Sequence, residues 1–79
     1  MALMHIKPGC YIDGGADCKE LFLMSGREHG EDDDTPMLVT ARNKQHAIDV
    51  FREALRDLEG LAEDATIYVC STEHVGQRA

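Results

Sequence analysis

Between Asn43 and Gly60 an apolar residue recurs every three or four positions: Ala47, Ile48, Val50, Phe51, Ala54, Leu55 and Leu58. Counted at about 100° per residue, the set fills an arc of roughly 160°, which predicts an amphipathic helix with one face on a core. Asn43 stands where a side chain can accept a first-turn amide, and Gly60 sits just past the end. The opposite face presents Gln45, Asp49, Arg52, Glu53 and Arg56. Asp49 with Arg52, and Glu53 with Arg56, are three residues apart and so within pairing reach. His46, in the first turn on the polar side, reads as a surface residue.

Elsewhere the pattern is that of strands. Cys10 to Ile12 and Leu21 to Met24 flank Asp13-Gly14-Gly15-Ala16-Asp17, whose paired glycines can take positive φ, so a hairpin is expected there. Met37 to Thr40 forms a short third strand, and the β-branched and aromatic run Thr66 to Ser71 a last one. Lys7-Pro8-Gly9 punctuates the start, with Met1 to Ile6 an edge strand or the first half of a bent one. Gly26 to Pro36 reads as a loop, because its like charges repel, two glycines interrupt it, and Pro36 disfavours helix at Thr35. The tail from Glu73 to Ala79 is expected to fray. The resulting order is β-β-β-α-β. It predicts a single α+β domain over residues 1–79, with a small antiparallel sheet of about four strands and one helix packed on one face.

Alternation places Leu21 and Leu23 on one face of that sheet and Phe22 and Met24 on the other; Ile67 and Val69 likewise oppose Tyr68 and Cys70. Both faces are apolar, and one helix covers only one. The second face calls for the N-terminal segment, a homodimer partner, or another protein.

Composition narrows the choice. A chain of 79 residues buries only about 60 to 65% of its unfolded surface, and with no Trp, two Phe and two Tyr its thin core must be aliphatic. Eight Lys and Arg against fifteen Asp and Glu give a formal charge of −7. That sign disfavours direct binding to nucleic acid or to an anionic membrane, since both need cations to replace their counterions, and it favours a basic protein surface. Solubility alone is the plainer purpose of such a charge. The start MALMHIKPG is too short in apolar residues for a signal peptide, and no stretch approaches the ~20 that span a bilayer, so a cytoplasmic location is expected. Cys10, Cys18 and Cys70 form an odd set without a CxxC pair, and free thiols are expected.

Catalytic signatures are missing. Cys70 and His74 have a Cys-x₃-His spacing that Cys10 and Cys18 could extend, but structural zinc sites use closely spaced ligand pairs, and ordinary thiols are the better reading. Asp32-Asp33-Asp34 and the Asp13 to Asp17 loop offer hard oxygens without the spacing of a calcium loop. No Gly-rich phosphate loop opens the helix, because ARNKQHA contains no glycine. His5, His29, His46 and His74 lie in four different contexts, with no base set against a nucleophile. No metal, no cofactor and no enzymatic activity are expected; a small metal- or thiol-dependent enzyme is the weakest alternative.

The acidic stretches carry a mechanism that needs no fine geometry. Glu28, Glu31, Asp32, Asp33 and Asp34 crowd one segment, and Asp57, Glu59, Glu63 and Asp64 follow one another around the helix end without an intervening cation. Asp57 and Glu59 also sit where the helix dipole prefers positive charge. A Lys/Arg-lined groove built for the phosphates of DNA, spaced at about 1.7 Å of duplex axis per charge, would accept such carboxylates instead. A solvated acidic loop is the alternative.

The acidic stretches GREHGEDDD and DLEGLAED, the lone helix ARNKQHAIDVFREALRDLEG and the short chain together resemble the anti-CRISPR proteins of phages and mobile elements, especially inhibitors of type I systems. The resemblance is one of overall character. It implies a non-enzymatic inhibitor that binds a Cas subunit of the surveillance complex and blocks target DNA binding or nuclease recruitment. The β-β-β-α-β order also looks like the N-terminal domain of HicB-type antitoxins, which implies a small basic ribonuclease toxin as partner, although no DNA-binding C-terminal domain is recognisable.

Overall fold

The computed structural model describes residues 11–77. The expected strand at Met1 to Ile6, the Lys7-Pro8-Gly9 break, His5 and Cys10 lie outside that range. Four strands and one helix follow in the expected order: β1 (Tyr11–Ile12), β2 (Glu20–Glu28), β3 (Thr35–Ala41), α1 (Lys44–Glu59) and β4 (Ile67–Gln77). The sheet order is β1-β3-β2-β4.

The sheet is mixed rather than antiparallel throughout, and the hairpin expected between the first two strands does not form. β1 pairs in parallel with β3, through Tyr11 with Leu38 and Ile12 with Val39. The glycine-containing connection is tied to β3. Asp13 Oδ1 accepts from the Gly15 amide at 3.0 Å and from Thr40 Oγ1 at 3.0 Å, while Thr40 Oγ1 accepts from the Gly14 amide at 2.9 Å. These bonds carry the chain past the end of β3, so that it enters β2 on the far side. The true hairpin is β2 with β3, antiparallel from Glu20 opposite Ala41 to Gly26 opposite Thr35.

Two strands outrun their sequence limits. β2 continues through Gly26 to Glu28 because Gly26 lets β4 approach: a Cβ there would overlap the Tyr68 carbonyl oxygen and lie 2.9 Å from the Phe51 ring. The loop is therefore 29–34 and not 26–36. β4 runs on to Gln77 where fraying was expected, because Glu20 holds it. Its carboxylate meets His74 Nε2 at 2.7 Å and accepts from Gln77 Nε2 at 2.8 Å, while the His74 ring packs on Phe22 at 5.1 Å. Cys70 and Val75 have no opposite number in β2, two bulges that bend this edge strand.

The helix begins and ends as its sequence dictates. Asn43 Oδ1 accepts from the His46 amide at 2.8 Å. Gly60 turns into the left-handed region at φ 65°, where a residue with a side chain is strained, and Leu61 N–H returns to the Arg56 carbonyl at 2.9 Å. Ala47, Phe51 and Leu55 are buried against Phe22, Met24, Met37, Val39, Ala41 and Ile67. Leu58, expected in that core arc, instead lies 55% exposed. Neither Asp49–Arg52 nor Glu53–Arg56 closes into an ion pair among the described residues; Gln45 Nε2 donates to Asp49 instead, at 3.3 Å. The other sheet face carries Leu21, Leu23 and Leu38, all half-buried.

Candidate functional site: an acidic pole

The topology brings the two acidic stretches to one end of the molecule. Glu28 closes β2 opposite Ile67, the first residue of β4, and the His29 amide donates to the Thr66 carbonyl at 2.8 Å. The loop 29–34 then leads into β3, whose first residue, Thr35, donates through Oγ1 to Glu59 Oε2 at 3.5 Å. The last turn of α1 and the 60–66 connection are thus placed beside the β2–β3 hairpin. Glu28, Glu31, Asp32, Asp33 and Asp34 share this end with Asp57, Glu59, Glu63 and Asp64, against Arg27 and Arg56 alone among the described residues. The negative end of the helix dipole points the same way and deepens the field. Lys19, Arg42 and Lys44 belong to the opposite end, near the start of β2 and of α1.

The carboxylates are not equivalent. Asp34 is committed: Arg27 Nη1 donates to its Oδ1 at 2.8 Å and Cys70 Sγ at 3.3 Å. The Cys70 hydrogen bond, then the Arg27 guanidinium, hold the Asp34 carboxyl below its ordinary value. The same contact with Asp34, with burial second, pushes the Cys70 thiol up. The bulge at Cys70 is what aims its sulfur into this pair. Glu31, Asp32, Asp33, Glu63 and Asp64 are exposed, and Glu28 is half-buried. Arg56 lies in a crevice with Glu53, Asp57, Leu61 and Glu63, its Nε buried without a hydrogen bond and none of these carboxylates in ion-pair range. His29, the one interruption in the acidic run besides Gly30, turns away to Tyr68, with Nδ1 2.7 Å from the phenol oxygen and the rings edge to face at 5.6 Å.

A second juxtaposition was hidden in the sequence. His46, expected on the surface, is half-buried, with Nδ1 accepting from the Arg42 amide at 3.1 Å and lying 3.7 Å from Cys18 Sγ. The two are 28 positions apart in sequence, Cys18 on the β1–β2 connection and His46 in the first turn of α1. Cys18 has no exposed surface, and burial followed by the neighbouring Asp17 raises its thiol. Reactive thiols sit in open, electropositive surroundings, and this setting works against a thiolate on both counts. Among the described residues no three His, Cys, Asp or Glu side chains gather as a metal-holding group. Cys70 is bound to Asp34 at one end of β4 and His74 to Glu20 near the other, so their sequence spacing does not converge. No helix among the described residues is long and apolar enough to cross a membrane.

Neither a family model, nor a curated protein, nor a solved structure matches the chain.

Proposed function

We propose that this protein is a binding inhibitor whose acidic pole occupies a Lys/Arg-lined surface that its partner otherwise uses to grip phosphate. The observation that carries this reading is the meeting of two acidic stretches, about 30 residues apart in sequence, at one end of a compact scaffold with two arginines beside them. The exposed carboxylates sit on two short connections whose ends are fixed by β2, β3, α1 and β4, and clustered negative charge steers association with a cationic groove. By its resemblance to anti-CRISPR proteins, the partner to test first is a Cas subunit of a type I surveillance complex. There the pole would exclude target DNA or a recruited nuclease.

Association of the purified protein with such a complex is expected to weaken steeply as salt rises. Charge reversal at Asp32 and Asp33, or at Glu63 and Asp64, should lower affinity by about tenfold or more per pair. Absence of association, or affinity untouched by both reversals, overturns the reading. The β-β-β-α-β order supports a second reading, an antitoxin-like module on a small basic ribonuclease. Co-purification with a ribonuclease encoded beside it would favour that assignment.

A further inference from the structure

Along the flank of α1 that faces β1 runs a groove of about 500 Å³ at the margin of the hydrophobic core, against which Ile12, Val50 and Ala54 pack on their inner side. Its floor is Ile12 from β1 and the helix row Val50, Ala54 and Leu58; Glu53 and Asp57 stand along its rim. The row is spaced by four residues and spans about 12 Å, two turns of helix. Leu58, at 55% exposure, is the most exposed large hydrophobic among the described residues, so apolar surface has been placed on a helix flank where the described fold does not cover it. Neither rim carboxylate has an ion-pair partner among the described residues, and no Lys or Arg lines the groove. Asp13 also borders it, with its carboxylate engaged by Gly15 and Thr40.

We infer that this groove receives an amphipathic helix from a partner protein, with aliphatic side chains at i and i+4 seated over Val50, Ala54 and Leu58 and lysines or arginines meeting Glu53 and Asp57. The volume lies in the range of built binding clefts, and helix-in-groove recognition takes its affinity from such anchors. Charge selects the occupant. A second copy paired two-fold, groove to groove, would set Glu53 and Asp57 against the same carboxylates of its partner, and an anionic lipid or a nucleic acid would meet the same repulsion. The inference shares Asp57 with the acidic pole but requires no phosphate-binding surface on the partner.

The test is a titration of the full, methyl-labelled protein with a synthetic helical peptide of leucines spaced by four and flanking lysines, beside a control with serine for leucine. The Val50, Ala54, Leu58 and Ile12 methyls should shift with the first peptide and not with the control. Leu58→Ser, at an exposed site that leaves the core intact, and Glu53→Lys, at a rim position outside the acidic pole, should each weaken binding about tenfold. Asp32→Lys with Asp33→Lys should leave the methyl shifts in place, whereas these two reversals are the ones that abolish salt-sensitive association if the acidic pole is the only contact. Four results overturn the inference. They are unmoved groove methyls, equal response to the serine control, Leu58 contacts with residues 1–10 in the free protein, and a peptide-free dimer that buries Leu58.

Discussion

Gly26 lies directly beneath the carbonyl of Tyr68, with the buried Phe51 ring on its other side, so that the place of a Cβ is taken by backbone and by core together. The contact is what lets β2 run on to Glu28 and lets β4 start at the acidic end. Gly26→Ala must push two strands apart or displace Phe51, and overpacking of that kind costs about 1–3 kcal/mol. A lower urea midpoint with an unchanged denaturant slope is expected; a midpoint equal to that of the natural chain would mean that the strands do not approach in this way.

Asp34 joins strand, loop and bulge, and its ionisation should report on all three. Its folded value is depressed, first by the Cys70 hydrogen bond and then by Arg27. The stability it contributes is therefore present above the unfolded carboxylate value and is lost as pH falls through the lower folded value. A carboxyl-carbon NMR titration should place Asp34 below the ordinary aspartate value, and Arg27→Ala should raise it back toward that value. Cys70 runs the other way, raised chiefly by Asp34. In a Cys10→Ser background, Asp34→Asn should shift the pH midpoint of Cys70 alkylation downward, and an unshifted midpoint would remove the proposed hydrogen bond.

Thr40 is the one polar side chain with no exposed surface among the described residues, and it holds the β1–β2 crossover by accepting from Gly14 and donating to Asp13. Thr40→Val keeps the shape but leaves the Gly14 amide and Asp13 short of a partner, a loss of about 1–3 kcal/mol. Thr40→Ser keeps the hydroxyl and removes one methyl, at about 1 kcal/mol. Urea unfolding should rank the valine variant below the serine variant. The reverse order would argue that packing, and not the hydroxyl, fixes the crossover.

That crossover also marks the limit of what the chain discloses by itself. Periodicity and caps located α1 almost to the residue, because Asn43 and Gly60 act on their own immediate neighbours. The alternation of Leu21, Phe22, Leu23 and Met24 gave the two sheet faces for the same local reason. Which strand β1 joins depends on Thr40, 27 residues from Asp13, and no local signal reports it. The Cys18–His46 contact was hidden likewise, and so was the extension of β4, which rests on Glu20 meeting His74 and Gln77 more than 50 residues away. The acidic residues were plain in the sequence. Their convergence was not, since it follows from the hairpin and the helix ending at the same place, linked by Thr35 and Glu59.

Neighbouring aspartates in the acidic run should respond oppositely to the same substitution. Asp33 is exposed and makes no ion pair among the described residues, in a field set by many like charges and the negative end of a helix. Replacing it with lysine removes repulsion and adds attraction, and a gain on the order of a degree or two in Tm is expected. Asp34→Lys instead sets a second cation against Arg27 and strips Cys70 of its acceptor, so Tm should fall. Salt separates the two causes. Raising sodium chloride screens the exposed charges and should stabilise the natural chain while shrinking the benefit of Asp33→Lys, because interactions beyond about 10 Å are screened near 0.1 M. The Asp34→Lys deficit should persist, since short contacts between partly buried groups are screened far less. A pole selected for stability would show no gain at Asp33. A gain that coincides with weakened partner binding would mean the repulsion is retained for the sake of the surface it creates.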